Sequence, residues 1–257
     1  MTYTTLGIER DRSIVRIWLD RPAKRNALDA TALEEIAAVC AELQTAHDVH
    51  VVVIGGRGVS FCAGADRKNP PARLARGSGA SARERRWAAE VGRRAVQAVE
   101  RLEAITIARL HGHVIGGGVL LAIACDFRIA AAGTAFHVPE VDLGIPLTWG
   151  GVPRLIRAVG EVRAKEIILL CERFDAAEAA AMGLVNRVVA PDTLDEVVDD
   201  WARRLAEKPP WAAHMTKTQF RAYAHAAVLG DLTAHDGALL IAATEEDPTR
   251  FGWPGKR

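Results

Sequence analysis

The stretch G-H-V-I-G-G-G-V-L-L-A at residues 112–122 decides the fold class. A strand-like apolar run, I-T-I-A-R-L, precedes it at 105–110, and a second, D-F-R-I-A, follows at 126–130. Between them the glycines at 116–118 make a turn that opens a helix. Strand, glycine turn, helix and strand in succession point to an α/β fold. Glycines placed there also leave main-chain N–H groups unbonded at a helix N-terminus, where the dipole favours negative charge. Such amides can hold a developing oxyanion. Tight packing alone is the other reading. No Lys–Ser/Thr pair follows the glycines, which excludes a Walker-type phosphate loop.

Working outward, I-V-R-I-W-L at 14–19 reads as a strand ended by Asp20–Arg21–Pro22. Thr31 and Glu34 predict a capping box for an amphipathic helix carrying Leu33, Ile36, Ala37, Cys40 and Leu43. H-V-V-V-I at 50–54 is a short apolar strand. The turn after it belongs to a second glycine-rich segment, V-V-V-I-G-G-R-G-V-S-F-C-A-G-A-D at 51–66. A Rossmann reading of this segment lacks the G-x-G-x-x-G spacing and a helix directly after the turn. Residues 67–82 read as a mobile surface loop, and Trp87, Val91, Ala95 and Val99 as a helical stripe. Beyond Gly150 the pattern is almost all helix. Thr193 and Glu196 predict a second capping box ahead of Leu194, Val197, Trp201 and Leu205. A long Ala-rich helical run extends from 211 to about 244.

At 257 residues the chain can bury a sizeable core as one domain, or one domain with an appendage. No apolar run approaches the roughly 20 residues of a membrane span. The N-terminus has neither the basic start nor the apolar stretch of a signal peptide, so a cytoplasmic location is the expectation. Cys40, Cys62, Cys125 and Cys171 are widely spaced and predict reduced, mostly buried thiols. A net charge of +1 argues against bulk affinity for nucleic acid. One stretch breaks the neutrality: residues 67–90 carry Arg67, Lys68, Arg73, Arg76, Arg83, Arg85 and Arg86 against Glu84 and Glu90. That suits a small polyanionic ligand, with a solvated loop and helix face as the alternative. His111 and His113 have an H-x-H spacing but no evident third ligand, so they read as structural and no metal is expected.

Seven segments, in order, resemble the signature segments of the crotonase (enoyl-CoA hydratase/isomerase) superfamily. They are D-R-P-A-K-R-N-A-L-D (20–29), F-C-A-G-A-D (61–66), G-H-V-I-G-G-G (112–118), A-C-D-F-R-I-A (124–130), P-E-V-D-L-G-I-P (139–146), G-G-V-P-R-L (150–155) and A-A-A-M-G-L-V-N-R-V-V (179–189). The final D-P-T-R-F-G-W-P-G-K-R does not follow the usual family ending. The resemblance implies a ββα spiral core over residues 1–192 and a helical oligomerisation region over 193–257, assembling as a homotrimer or hexamer. It implies no metal or redox cofactor, since coenzyme A arrives as part of an acyl-CoA substrate.

Carried over by position, Ala65 and Gly117 match the two oxyanion-hole amides, and a side chain at Gly117 is expected to crowd the thioester. Lys24, Arg25, Ala27 and Ala63 match the CoA groove, and Lys68 a lysine beside CoA phosphates. Family hydratases orient a water between two glutamates. Glu140 stands at the second of these positions, but the first is Leu120, and Thr148 replaces a glycine that helps hold the water. One base suffices to move a proton from C2 to C4, so the expected reaction is a Δ3-to-Δ2 isomerisation. The alternatives are hydration, another crotonase reaction such as decarboxylation or hydrolysis, or a silent homologue that binds RNA or a partner through the Arg-rich stretch at 83–101. Asp142 is expected to form a salt bridge, or else to supply a second acid.

Overall fold

A hairpin that the sequence reading leaves out begins the chain: β1 (Leu6–Asp11) folds back antiparallel on β2 (Ile14–Leu19). The computed structural model describes residues 3–71 and 79–226, with positions 237 and 241. After α1 (Ala30–Gln44), β3 (Val51–Gly56) lies parallel to β2, with all six of its residues buried. Then come α2 (Ala82–Ala89), α3 (Val91–Arg101), β4 (Ile105–Leu110), β5 (His113–Ile115), α4 (Gly117–Ile123), β6 (Phe127–Ala131) and β7 (Ala135–His137). The chain continues through α5 (Gly151–Leu170), β8 (Phe174–Asp175), α6 (Ala176–Ala181), β9 (Arg187–Val189), α7 (Leu194–Ala206) and α8 (Pro210–Ala226). One sheet has the order β1-β2-β3-β4-β6-β9, parallel from β2 onward, and a smaller one the order β5-β7-β8. The expected α/β architecture, a crotonase-like core followed by helices, is what forms.

A parallel sheet needs cover on both faces, which is why β3 carries no polar side chain and its neighbours are mostly apolar, interrupted by Arg16, Thr106, Arg109 and Arg128. On one face Val52, Ile54 and Ala108 meet Leu33 and Ile36 of α1 and Val96 and Val99 of α3. On the other, Val51, Val53, Ile107 and Ile129 meet Leu194, Val198 and Ala202 of α7. Each such Val, Leu or Ile contributes about 1.5–3 kcal/mol by leaving water. The apolar stripe of α7 is thus used within the chain, whereas Trp211, Phe220 and Tyr223 of α8 are exposed. A buried cation ties α8 down: Lys217 Nζ pairs with Asp126 Oδ2 at 2.7 Å and donates to Ala104 O at 2.8 Å. Thr106 donates to the same carboxylate oxygen through its N–H and its hydroxyl.

Several local readings need correction. Asp29, not Thr31, caps α1, accepting from Ala32 N, because it precedes the first turn while Thr31 lies within it. Thr193 makes no capping bond; its hydroxyl donates to Ala190 O. The capping boxes that do form are Ser81–Glu84 and Asp175–Glu178. The predicted stripe breaks at Glu90: Val91, Ala95 and Val99 are buried, but Trp87 is exposed on α2 with the Arg94 guanidinium 3.9 Å above its ring. Strands β8 and β9 interrupt the helical region beyond Gly150, being too short to show an alternation. All four cysteines are free and buried, as expected. Of the loop read over 67–82, residues 72–78 lie outside the described residues. So do residues 227–236, 238–240 and 242–257, and with them most of the predicted helical run beyond α8.

Candidate active site

The two glycine-rich segments are fastened side by side. Cys62 N donates to His113 O and Ile115 N to Cys62 O, each at 3.0 Å, pairing residues 62 and 114 in a parallel bridge. A Cβ on Gly64 (φ +81°) would sit 2.7 Å from Ile115 O and 3.6 Å from Gly117 N, so only glycine lets the turns close to this distance. Ala65 and Gly117 thereby line one cavity. Neither N–H finds an acceptor among the described residues. Gly117 is the first residue of α4, and Ala65 turns its amide away from Leu28, which bonds Gly64 O and Asp66 N instead.

Glu140 lies against the first of the three glycines. A Cβ on Gly116 (φ +50°) would meet its Oε1 at 2.6 Å. Its Oε2 is buried with no hydrogen-bond partner among the described residues. Burial pushes the carboxyl up to about 7, partly offset by a hydrogen bond from its own backbone N–H. The side chain is therefore no surface charge.

The cavity, about 290 Å³, has largely apolar walls around Glu140, among them Ile115, Leu120, Leu143, Ile145, Leu147 and Trp149, and the cations Arg67 and Arg173 also line it. Glu140 is its sole carboxylate among the described residues, and Leu120 fills the place a second would take. Thr148 and His137 also line it; His137 Nε2 donates to Cys171 O at 2.9 Å. Asp142 is exposed, lines no part of the cavity and makes no ion pair among the described residues, so among these neither role expected for it is seen. The turn after Pro139 points its side chain to solvent. No group of three metal-ligating side chains occurs among the described residues. His111 Nε2 instead bonds Gly58 O at 2.9 Å, and His113 Nδ1 bonds the Ser60 hydroxyl at 3.0 Å.

The groove residues divide into three groups. Ala63 lines the cavity and donates to Arg25 O at 2.9 Å, so residues 25–28 run alongside 63–66. Ala27 is tied by its carbonyl to the Arg21 guanidinium. Lys24 does not line the cavity; its Nζ stands 3.3 Å from Asp66 Oδ2. Lys68 is exposed, and its backbone N–H rather than its side chain bonds Asp66, at 3.0 Å. The two lysines sit at the rim.

Sequence reading missed Trp149, and with it His137 and Arg173, which also line the cavity. Trp149 is buried yet has φ +55°, and Gly150 after it has φ +72°. Gly151 N bonds Thr148 O at 3.0 Å, closing a turn with both central residues left-handed. Such positions favour Gly, Asn or Asp, and a Trp there costs about 1–2 kcal/mol. An added Cβ at Gly117 would meet the indole ring at 2.3 Å. A side chain there would strike Trp149 before it crowded any thioester, which corrects the expectation for that position.

Comparison with known proteins agrees with this geometry. The family profile described as Enoyl-CoA hydratase/isomerase matches residues 9–252. A crotonyl-CoA hydratase from Syntrophomonas wolfei is 35% identical over 218 residues, covering 84% of this chain and 81% of the relative. The crystal structure of an enoyl-CoA hydratase from Bacillus anthracis superposes with a TM-score of 0.77 at 31% identity, covering 95% of this chain and 90% of that one. A Thermobifida fusca YX protein assigned as an enoyl-CoA hydratase, solved in complex with CoA, gives a TM-score of 0.78 at 31% identity, with 94% and 92% covered. Two free amides on one cavity, a lone half-buried carboxylate and a family match along nearly the whole length agree: the chain belongs to the enoyl-CoA hydratase/isomerase family.

Proposed function

We propose that the chain moves the double bond of a 3-enoyl-CoA to the 2 position, with Glu140 as its single base. The observation that carries this reading is the lone Glu140 carboxylate, held near pKa 7 beside the Ala65 and Gly117 amides, with Leu120 where a second acid would stand. The thioester oxygen lies between the two N–H groups. Glu140 removes a proton from C2, and the C2–H electrons move into the thioester as a dienolate whose oxygen charge the amides stabilise. The same carboxyl, now protonated, returns that proton at C4, leaving the double bond between C2 and C3. A group with a pKa near neutrality both takes and gives a proton readily, which suits a shuttle. CoA would lie along residues 24–27 and Ala63, with Lys68 beside a phosphate. A trimer or hexamer would cover the exposed aromatic residues of α8.

Hydration is the second reading. The relatives are named hydratases, and Thr148 and His137 are polar cavity groups that can hold a water. Incubation with 2-enoyl-CoA and 3-enoyl-CoA of equal chain length, following 3-hydroxyacyl and conjugated products separately, tests the choice. Isomerisation well above hydration is expected, with Leu120→Glu raising hydration only modestly. Hydration outpacing isomerisation in the wild type overturns the isomerase reading and makes His137 and Thr148 the first candidates for water binding.

A further inference from the structure

We propose that Trp149 determines substrate specificity by closing the acyl cavity beside Gly117, restricting the enzyme to short, unbranched acyl chains, and that Gly92 on α3 is the residue that lets it do so. The proposal rests on the acyl-CoA reading above but not on which reaction Glu140 performs. The indole is held from two sides. A Cβ on Gly92 would fall 1.9 Å from ring atom Cε2, and one on Gly117 would fall 2.3 Å from Cζ3. The five-membered side of the ring therefore lies on α3 and the six-membered side on the start of α4, wedged between two backbones at positions free of side chains.

Its main chain is fixed as firmly. Arg154 donates through Nη1 to Gly150 O at 2.9 Å and to Trp149 O at 3.3 Å. Arg154 in turn is held by Glu100 of α3, whose carboxyl is pushed up by burial but brought well below its usual range by Arg154 and Arg157. A left-handed tryptophan held at backbone and ring will not swing aside for a longer chain. The cavity it bounds, about 290 Å³, lies at the bottom of the roughly 300–1,000 Å³ range of ligand pockets. Gly117 carries one of the proposed thioester donors, so the wall stands next to the first acyl carbons. Branches there meet the indole, which blocks the direct path from Gly117 to Gly92 on α3.

Saturated acyl-CoAs bind without reacting, so calorimetry with butyryl-, octanoyl- and dodecanoyl-CoA isolates the pocket from the chemistry. The wild type should favour butyryl-CoA and gain nothing from longer chains, although a buried methylene adds about fourfold in affinity. Trp149→Ala should bind octanoyl-CoA at least about tenfold tighter than the wild type does, and butyryl-CoA no tighter. Because that variant leaves a large hole and can fail to fold, Trp149→Leu serves beside it. Gly92→Ala supplies the decisive arm: it should weaken butyryl-CoA by tenfold or more in the wild type, through the displaced indole, and by less than about twofold in the Trp149→Leu background. An equal loss in both backgrounds, or an unchanged chain-length profile after removal of Trp149, overturns the proposal. A wild type that binds no acyl-CoA overturns the acyl-CoA reading and this proposal together.

Discussion

Two carboxylates flank the paired glycine turns, Asp66 one residue beyond Ala65 and Glu140 against Gly116, and their surroundings are opposite in kind. Asp66 accepts from the backbone of Asn69 and Lys68 and from the side chains of Arg21, at 2.9 Å, and Lys24. Burial raises its pKa, but those hydrogen bonds outweigh it and hold the carboxyl below the usual range. Glu140 has burial with almost nothing to offset it. One charge is fully solvated by protein and stays put; the other is left unsatisfied and can exchange a proton near neutral pH. A buried carboxylate is structural or reactive according to how many donors face it.

The contrast breaks most sharply at Glu140. Glu140→Gln should lower turnover by about 10²–10⁴-fold while the fold survives. In the wild type kcat/KM should fall tenfold per pH unit below about 7, as the base is protonated, and circular dichroism should show no unfolding there. The stability sign is reversed from the usual carboxylate. A folded pKa raised to about 7 favours the native state while the group is neutral, and that advantage is lost as pH rises from the unfolded value toward 7. Glu140→Gln should therefore be more stable than the wild type above pH 8, by at most about 3 kcal/mol in denaturant unfolding. A less stable variant would mean that the carboxylate serves the structure instead.

At Asp66 the expectation inverts. Asp66→Asn leaves Arg21 with Asp29 as its remaining carboxylate, 2.8 Å away, and half-exposed Lys24 in water, so it should cost about 1–2 kcal/mol of stability, with kcat of the folded fraction changed by less than about threefold. Its lowered pKa gives stability that is present above the unfolded carboxylate value and lost as pH falls through the folded one; the variant should lack that acid-limb loss. A large kcat defect in a stable Asp66→Asn would erase the division of labour. The smallest effect belongs to the rim: Lys68→Glu should weaken CoA binding a few-fold at low salt and hardly at all at high salt. No change at low salt would remove Lys68 from the groove.

Much of the site was legible because it is local. Glu140, Leu120, Ala65 and Gly117 sit at fixed places in short segments, and Val51–Gly56 is a run without polar side chains that suits a sheet covered on both faces. Contacts made at a distance were not legible. Nothing near Trp149 announces Gly92, which lies on another helix, and a left-handed tryptophan follows no turn rule. The helix starts misled for a related reason. Thr31 and Thr193 fit a capping pattern, but which residue caps depends on where the backbone first turns helical, and that is set by packing.

The ammonium of Lys217 also has a bearing on how the chain matures. On a ribosome making roughly 5–20 residues per second, Lys217 emerges some 5–20 s after Asp126. Through that interval the Asp126 carboxylate can have its Thr106 hydrogen bonds and the field of Arg128, but not its direct ion pair. The nascent body is thus one ion pair short of its final state until α8 arrives, and a chain truncated before residue 217 would keep that carboxylate without its partner ammonium.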